Sequence, residues 1–114
     1  MKIFDHKRKE FLPVNNVGWS FRDLVSEKYE GIQIIKPTGF FGLQKGAVNW
    51  IKQEVYEFDI LSVILKSSGR EIVEGHIEWN CKTGQFLFRR FDNGNVVWMN
   101  GLYEICILDN LLLT

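Results

Sequence analysis

Residues 55–99 decide the expected fold, and they read VYEFDILSVILKSSGREIVEGHIEWNCKTGQFLFRRFDNGNVVWM. Apolar and polar residues alternate through much of this stretch, which is typical of half-buried strands. Turn signals divide it at Ser68-Gly69, at residues 81–84 and at Asn93-Gly94. Asn-Gly between two strand patterns is the strongest short-range signal for a hairpin. The stretch therefore predicts an antiparallel meander.

Each turn also predicts a register, because side chains alternate between the two faces of a sheet with a period of two. The loop at 81–84 must be even in length, since an odd loop would set Glu78 opposite Phe88. The expected pairs are Ile64 with Val73, Ile77 with Phe88, and Phe88 with Met99. Together the turns predict one inner face, formed by Phe58, Ile60, Ile64, Val73, Ile77, Trp79, Phe86, Phe88 and Met99.

The opposite face of the predicted sheet carries more apolar side chains than a solvated surface normally does. It is a candidate interaction face, formed by Leu61, Val63, Ile72, Leu87, Arg89, Phe91 and Trp98. Arg89 is expected opposite Trp98, in position for a cation–π contact. One helix of about three turns is too short to cover a four-stranded face, so a second copy of the chain is the expected occupant.

A helix is predicted over residues 20–30. Ser20 is a good N-cap, apolar residues then recur at helical spacing, and Gly31 follows as a stop signal. A strand, Ile32–Lys36, is expected to end before Pro37.

The remaining N-terminal segments are loops or short strands. The basic run His6–Lys9 is expected at the tip of a hairpin or in a solvated turn. Residues 38–46 contain three glycines and predict an irregular loop. Residues 47–53 fit either a short helix or an edge strand.

The expected fold class is α+β and mostly β. One N-terminal helix accompanies a C-terminal antiparallel meander that is strongly bent or closed into a small SH3-like barrel. The length of 114 residues suits a single domain. Residues 1–46 form its N-terminal α/β portion with a loop, and residues 47–110 form the meander.

Composition narrows the function classes. The 14 basic and 14 acidic side chains cancel, whereas nucleic-acid binders usually carry a basic excess. Cys81 and Cys106 lie too far apart in sequence for a CxxC or zinc half-site. The first residues lack an apolar leader pattern and no apolar run reaches membrane length, so a cytoplasmic protein is expected.

Chemical motifs are equally scarce. Glu74, His76 and Glu78 alternate on one strand, but same-face positions lie roughly 7 Å apart, which is too far for one ion to bind all three. Asp59 on a neighbouring strand would have to complete such a site, and a polar stripe with ion pairs is preferred. No nucleophile elbow or phosphate loop is present, so no reaction, cofactor or metal is expected.

Four stretches resemble the YopX-like family of small phage and prophage proteins. Residues 4–14 (FDHKRKEFLPV) resemble the family's opening, and 54–61 (EVYEFDIL) its central E-I-Y-E-G-D-I-V segment. Residues 75–80 (GHIEWN) and 103–110 (YEICILDN) resemble its closing strands. Phe58 replaces the family's central glycine. The segment before it is also longer than the family's usual turn.

The resemblance implies an SH3-like C-terminal barrel, an origin in a phage or mobile element, and self-association, but no reaction. The expected function is therefore an accessory protein acting as a binding or assembly module. Its expected partners are another protein or its own copies, with no membrane. The alternative is a protein that binds single-stranded nucleic acid on a platform of Lys82, Arg89, Arg90, Phe91 and Trp98. An enzyme is a distant third.

Overall fold

A computed structural model describes residues 2–12, 31–46, 48–66 and 71–114. These residues form ten strands in two sheets. The strands are β1 Lys2–Asp5, β2 Glu10–Leu12, β3 Ile32–Ile35, β4 Pro37–Lys45, β5 Trp50–Tyr56, β6 Asp59–Leu65, β7 Ile72–Asn80, β8 Gln85–Arg90, β9 Val96–Trp98 and β10 Leu102–Asn110. Single 3-10 turns, Met99–Gly101 and Leu111–Leu113, flank β10.

The smaller sheet has the antiparallel order β2-β1-β3. Phe4 pairs with Phe11 across β1 and β2, and their rings meet edge to face with centroids 5.1 Å apart. The run His6–Lys9 connects these two strands, and Asp5 Oδ1 accepts a hydrogen bond from Lys7 N at 3.0 Å within the turn. The predicted hairpin tip is confirmed.

The larger sheet has the order β5-β4-β10-β6-β7-β8-β9. Strands β6 to β9 are consecutive neighbours, as in a meander. β10 then returns to the free edge of β6 and runs parallel to β4 on its other side. The sheet therefore combines β4, from the N-terminal portion, with strands that follow residue 47.

The predicted α+β class and the barrel are both wrong. The described ranges are nearly all β and contain no α-helix, and the predicted helix over 20–30 lies outside them. β5 and β9 are the two ends of the large sheet and do not pair with each other, so the sheet is open. The physical reason is that β10 pairs with the edge of β6, and β4 and β5 are then added beyond β10. The edge of β6 is therefore occupied by further strands of the same sheet and does not pair with β9.

The irregular loop predicted over 38–46 is also wrong, because most of this segment belongs to β4. Gly39 adopts φ +81° at the irregularity in the β4–β5 pairing, a conformation that glycine takes at little cost. At Gly42, an added Cβ would lie 2.8 Å from the Ile105 carbonyl oxygen. These glycines permit a bulge and a close strand contact. Of the two alternatives for 47–53, the edge strand holds from Trp50 onward.

The register between β6 and β7 differs from the expected one by a single residue. Val63, not Ile64, lies opposite Val73. A shift of one residue exchanges the faces of a strand, so Ile60 and Ile64 leave the predicted inner face and Leu61 joins the core. Within residues 60–65, apolar side chains occupy both the even and the odd positions. Their pattern therefore could not show that the register assumed from the turn was wrong.

Of the next two registers, the one between β7 and β8 agrees with the prediction and the one between β8 and β9 does not. Ile77 pairs with Phe88, which confirms the even loop at 81–84. Phe88 pairs with Val97 rather than with Met99. Arg90 N donates to Asn95 O at 2.9 Å, so the connection holds four residues, 91–94, instead of two. This error of two residues leaves every side chain on its predicted face.

The main core lies on one face of the large sheet. Its buried members are Val55, Leu61, Val63, Leu65, Val73, Ile77, Phe88, Met99, Leu102, Ile105 and Ile107. The sheet bends strongly. The bend brings Thr38 and Phe40 of β4 close to Phe86 and Met99 at the far end of the sheet, and these residues line one cavity of about 320 Å³.

A buried polar pair joins the beginning of β6 to the end of β10. Asn110 Nδ2 donates to Asp59 Oδ1 at 2.9 Å, and Tyr56 N donates to Asp59 Oδ2 at 2.8 Å. Burial raises the pKa of the Asp59 carboxyl, although both hydrogen bonds oppose this shift. Asp59 is therefore a structural anchor at the base of the sheet.

Candidate interaction surface

The outer side of β7, β8 and β9 forms the candidate surface. Alternation along β7 places Glu74, His76 and Glu78 on this side, opposite the core residues Val73 and Ile77. The cross-strand pairs on this side are His76 with Arg89, Glu78 with Leu87, Leu87 with Trp98, and Arg89 with Val96.

An ion pair crosses this surface diagonally. Arg89 Nε donates to Glu78 Oε2 at 2.9 Å, and a second guanidinium nitrogen donates to Oε1 at 2.7 Å. The third nitrogen donates to the carbonyl of Gly94 at 2.6 Å. Such a two-point pair fixes geometry as well as charge. Arg89 thereby ties β7 to the loop 91–94.

The Arg89 guanidinium holds the pKa of Glu78 below its ordinary value. A depressed pKa means that the pair stabilises the fold fully above the unfolded pKa, and that this contribution is lost as the pH falls through the folded pKa. We expect Glu78→Gln to lower the free energy of unfolding at pH 7. The difference from wild type should shrink at pH 3, as measured by urea unfolding at both values.

Glu74→Gln is the matched control for this prediction, because Glu74 is an exposed carboxylate on the same face of β7. It should leave stability nearly unchanged at both pH values. A destabilisation by Glu78→Gln of equal size at pH 7 and pH 3 would show that the ion pair does not cause it.

His76 lies between this ion pair and the loop. Its ring stacks on Phe91 with centroids 5.6 Å apart and planes inclined by 26°. His76 Nε2 lies 3.6 Å from Glu78 Oε2, while Nδ1 is buried and has no hydrogen-bond partner among the described residues. The imidazole therefore packs against the Phe91 ring and supports it.

The structure separates the seven predicted residues of the candidate face into two groups. Ile72, Phe91 and Trp98 are exposed, by 69%, 51% and 55%, and Arg89 is partly exposed beside them. Leu87 lies on the same face but is buried at 8%.

Leu61 and Val63 form the second group and do not belong to the face. Both are buried in the core, because of the one-residue shift between β6 and β7. Val96, exposed by 39%, lies on the outer face opposite Arg89 on the neighbouring strand. The apolar patch is therefore defined as Ile72, Phe91, Val96 and Trp98.

The predicted platform for single-stranded nucleic acid also differs from expectation, in the pairing of Arg89 and in the partners of both arginines. Arg89 lies opposite Val96, so the expected pairing of Arg89 with Trp98 is wrong. Arg90 donates to Asp92 Oδ2 at 2.7 Å and lies 3.5 Å from Glu71 Oε1. Both guanidinium groups are thus bound to carboxylates of the same chain.

Of the two acids in the polar stripe on β7, Glu78 forms the expected kind of ion pair, with Arg89, whereas Glu74 is an exposed carboxylate. Within the part of the chain that the structure describes, no three His, Cys, Asp or Glu side chains come close enough to hold a metal ion. Asp59 lies at the base of β6, bonded to Asn110.

A second exposed region at the other end of the sheet was missed by the sequence argument. Phe41, Leu43 and Trp50 share one side of β4 and β5 and are exposed by 53%, 45% and 56%. Lys52 Nζ lies 5.3 Å from the centre of the Phe41 ring. The available signal was weak, because residues 47–53 fit a short helix as well as an edge strand and residues 38–46 were predicted to be a loop.

Comparison with models of known families, with curated proteins and with solved structures finds no match. The resemblance to the YopX-like family therefore stays a prediction. Among the described residues, no helix has the length and apolar character needed to cross a bilayer.

Proposed function

We propose that this protein is a binding and assembly module, without a reaction of its own, which binds another protein through the apolar patch. The observation that carries the proposal is the exposure, on the outer side of the sheet, of Ile72 on β7, Phe91 in the loop after β8, and Val96 and Trp98 on β9. Monomeric proteins rarely expose large apolar side chains in such a group unless the group has a partner.

Local structure supports this use of the patch. Trp98 lies beside the buried Leu87 of the neighbouring strand. Phe91 is held by His76 on one side and by the loop that Arg89 anchors. Aromatic side chains that are fixed before binding lose little entropy on association, which is why they so often carry binding energy.

The origin and location of the module are also proposals. We place it in the cytoplasm of a cell that carries a phage or mobile element, on the strength of the sequence resemblance. One backbone feature supports that resemblance. Phe58 adopts φ +71°, a conformation that favours glycine, at the position where the family has glycine.

Binding of single-stranded nucleic acid remains the second candidate. The aromatic residues it needs are exposed at Phe91 and Trp98, but Arg89 and Arg90 already bind carboxylates. Their release would cost part of the attraction to phosphate. Salt-dependent binding of a single-stranded oligonucleotide would favour this function over the first. An enzyme comes third, since no described feature supports a particular reaction.

The test of the proposed function is a quantitative capture experiment. Wild-type protein, the double variant Trp98→Glu with Phe91→Glu, and the control Leu108→Glu are immobilised and exposed to extract from cells that naturally carry the gene. Leu108 is exposed by 49% on β10, away from the patch.

A protein that wild type and the control capture, and the double variant does not, is then purified and titrated against all three. We expect at least a ten-fold weaker affinity for the double variant, since charges replace two aromatic anchors. Equal capture by the three proteins, or capture by none, would contradict the proposal. Circular dichroism of each variant verifies that it is folded.

A further inference from the structure

We infer that β5 pairs edge to edge with β5 of a second copy of this chain, antiparallel and centred on Gln53, so that the large sheet continues across a two-fold axis. This interface lies at the opposite end of the sheet from the apolar patch. It goes beyond the proposed function and does not depend on it.

β5 is an unusual edge strand. It has seven residues, Trp50–Tyr56, and it pairs only with β4 within the described sheet. Trp50 and Ile51 are exposed by 56% and 49%. Long edge strands invite pairing with another chain, and proteins usually shorten, bend or cover them.

The backbone of β5 has the correct phase for such pairing. Glu57 N donates to Lys36 O, which lies on the side of β4. Since backbone groups in an antiparallel strand point alternately to its two neighbours, the even-numbered residues direct their N–H and C=O groups away from β4. Lys52 and Glu54 therefore present theirs at the open edge.

The side chains of β5 are complementary to themselves in one register. Trp50, Lys52, Glu54 and Tyr56 share the outer side of the strand. With Gln53 at the centre, Lys52 lies opposite Glu54 of the second copy, and Glu54 lies opposite its Lys52. Opposite charges in directly facing positions stabilise a strand pair.

Neighbouring registers on the same face are disfavoured by the same charges. A centre on Lys52 sets two lysines opposite each other, and a centre on Glu54 sets two glutamates opposite each other. Like charges in facing positions are destabilising. Lys52 and Glu54 therefore favour the register centred on Gln53 when β5 pairs with an identical strand. The two-fold axis then forms each of these contacts twice.

The test uses charge reversal followed by charge restoration. Wild-type protein should be dimeric in sedimentation-velocity runs over a range of concentrations, and its dimer should weaken at high salt because the pairs are exposed. Lys52→Glu alone and Glu54→Lys alone should each raise the dissociation constant at least ten-fold, since both copies then carry like charges at facing positions.

Restoration distinguishes this register from a general effect of charge. An equimolar mixture of the two single variants should form a mixed dimer, and the double variant Lys52→Glu with Glu54→Lys should recover wild-type association. Lys45→Glu, on the same outer side of β4, is the matched control and should leave the dimer intact. Circular dichroism verifies that each variant is folded.

Two results would overturn the inference. One is a wild-type chain that stays monomeric at its highest soluble concentration. The other is single variants that dissociate but are not rescued by mixing or by the double reversal. The variants of the apolar patch should leave this dimer unchanged, and Lys52→Glu should leave capture by the patch unchanged, so that failure of either proposal is recognised separately.

Discussion

Replacing Phe88 by alanine should lower the free energy of unfolding by about 3–5 kcal/mol, a large part of the stability of a small domain. Phe88 is fully buried, with 0% of its surface exposed, and it lies opposite Ile77 in the middle of the core. Its truncation removes apolar contacts and leaves a cavity that the neighbouring strands, held by their ladder, can fill only in part. Guanidinium unfolding at equilibrium measures the loss.

Phe91→Ala is the matched control for this experiment. It changes the same residue type three positions further along the chain, where the ring is 51% exposed. We expect a loss below about 1 kcal/mol, because most of that ring already contacts solvent. If the two variants lost similar stability, the assignment of Phe88 to the core side of β8 would be wrong.

Gly75→Ala should be nearly as damaging, with a loss of about 3 kcal/mol, at the upper end of the range for overpacked sites. Gly75 is buried on β7, between Leu61 of β6 and Arg90 of β8. An added Cβ would overlap the Arg89 carbonyl oxygen and would lie 2.7 Å from Phe88 Cζ. The carbonyl belongs to the ladder and cannot move without breaking it, so the strain spreads to both strands.

Gly101→Ala provides the comparison for Gly75. Its added Cβ would meet only Val97 Cγ1, at 3.4 Å, which is an ordinary contact. Thermal unfolding of both variants should show a large decrease of the midpoint for Gly75→Ala and little change for Gly101→Ala. A mild effect at Gly75 would mean that β7 and β8 are less closely packed than the structure has them.

The sequence predicted strands more reliably than the way they are joined. Turn chemistry placed Ile77 opposite Phe88, because the loop at 81–84 had only one parity that kept apolar residues together. The same method failed at Ser68-Gly69, since the strand before it is apolar in both phases and offered no check. Leu61 and Val63 were consequently assigned to the surface, although they belong to the core.

Part of the candidate surface was predicted correctly, for a geometric reason. The loop after β8 is two residues longer than a tight turn, and an even error returns each side chain to its predicted side. Trp98 and Phe91 therefore remain on the outer face despite the wrong pairing partner. Ion pairs were expected along the polar stripe of β7, but Arg89 was not foreseen as the partner of Glu78, because the two residues do not face each other across the strands.

The position of β10 was the least accessible to sequence reasoning. Nothing in its alternation distinguishes a strand that extends a meander from one that returns to its beginning. Its parallel partner, β4, had been taken for a loop on account of its glycines. A parallel neighbour depends on residues far away in the chain, which local patterns do not report.

The central place of β10 has a consequence for how the protein is made. Cys106 pairs with Ser62 on one side and with Leu43 on the other, so a strand translated after all nine others separates β4 and β5 from β6 to β9. On the ribosome, the earlier strands must wait with two sheet edges unpaired until this segment emerges. Such non-local closure is slow compared with hairpin formation. A nascent chain arrested before residue 102 should therefore be sensitive to protease and dependent on chaperones.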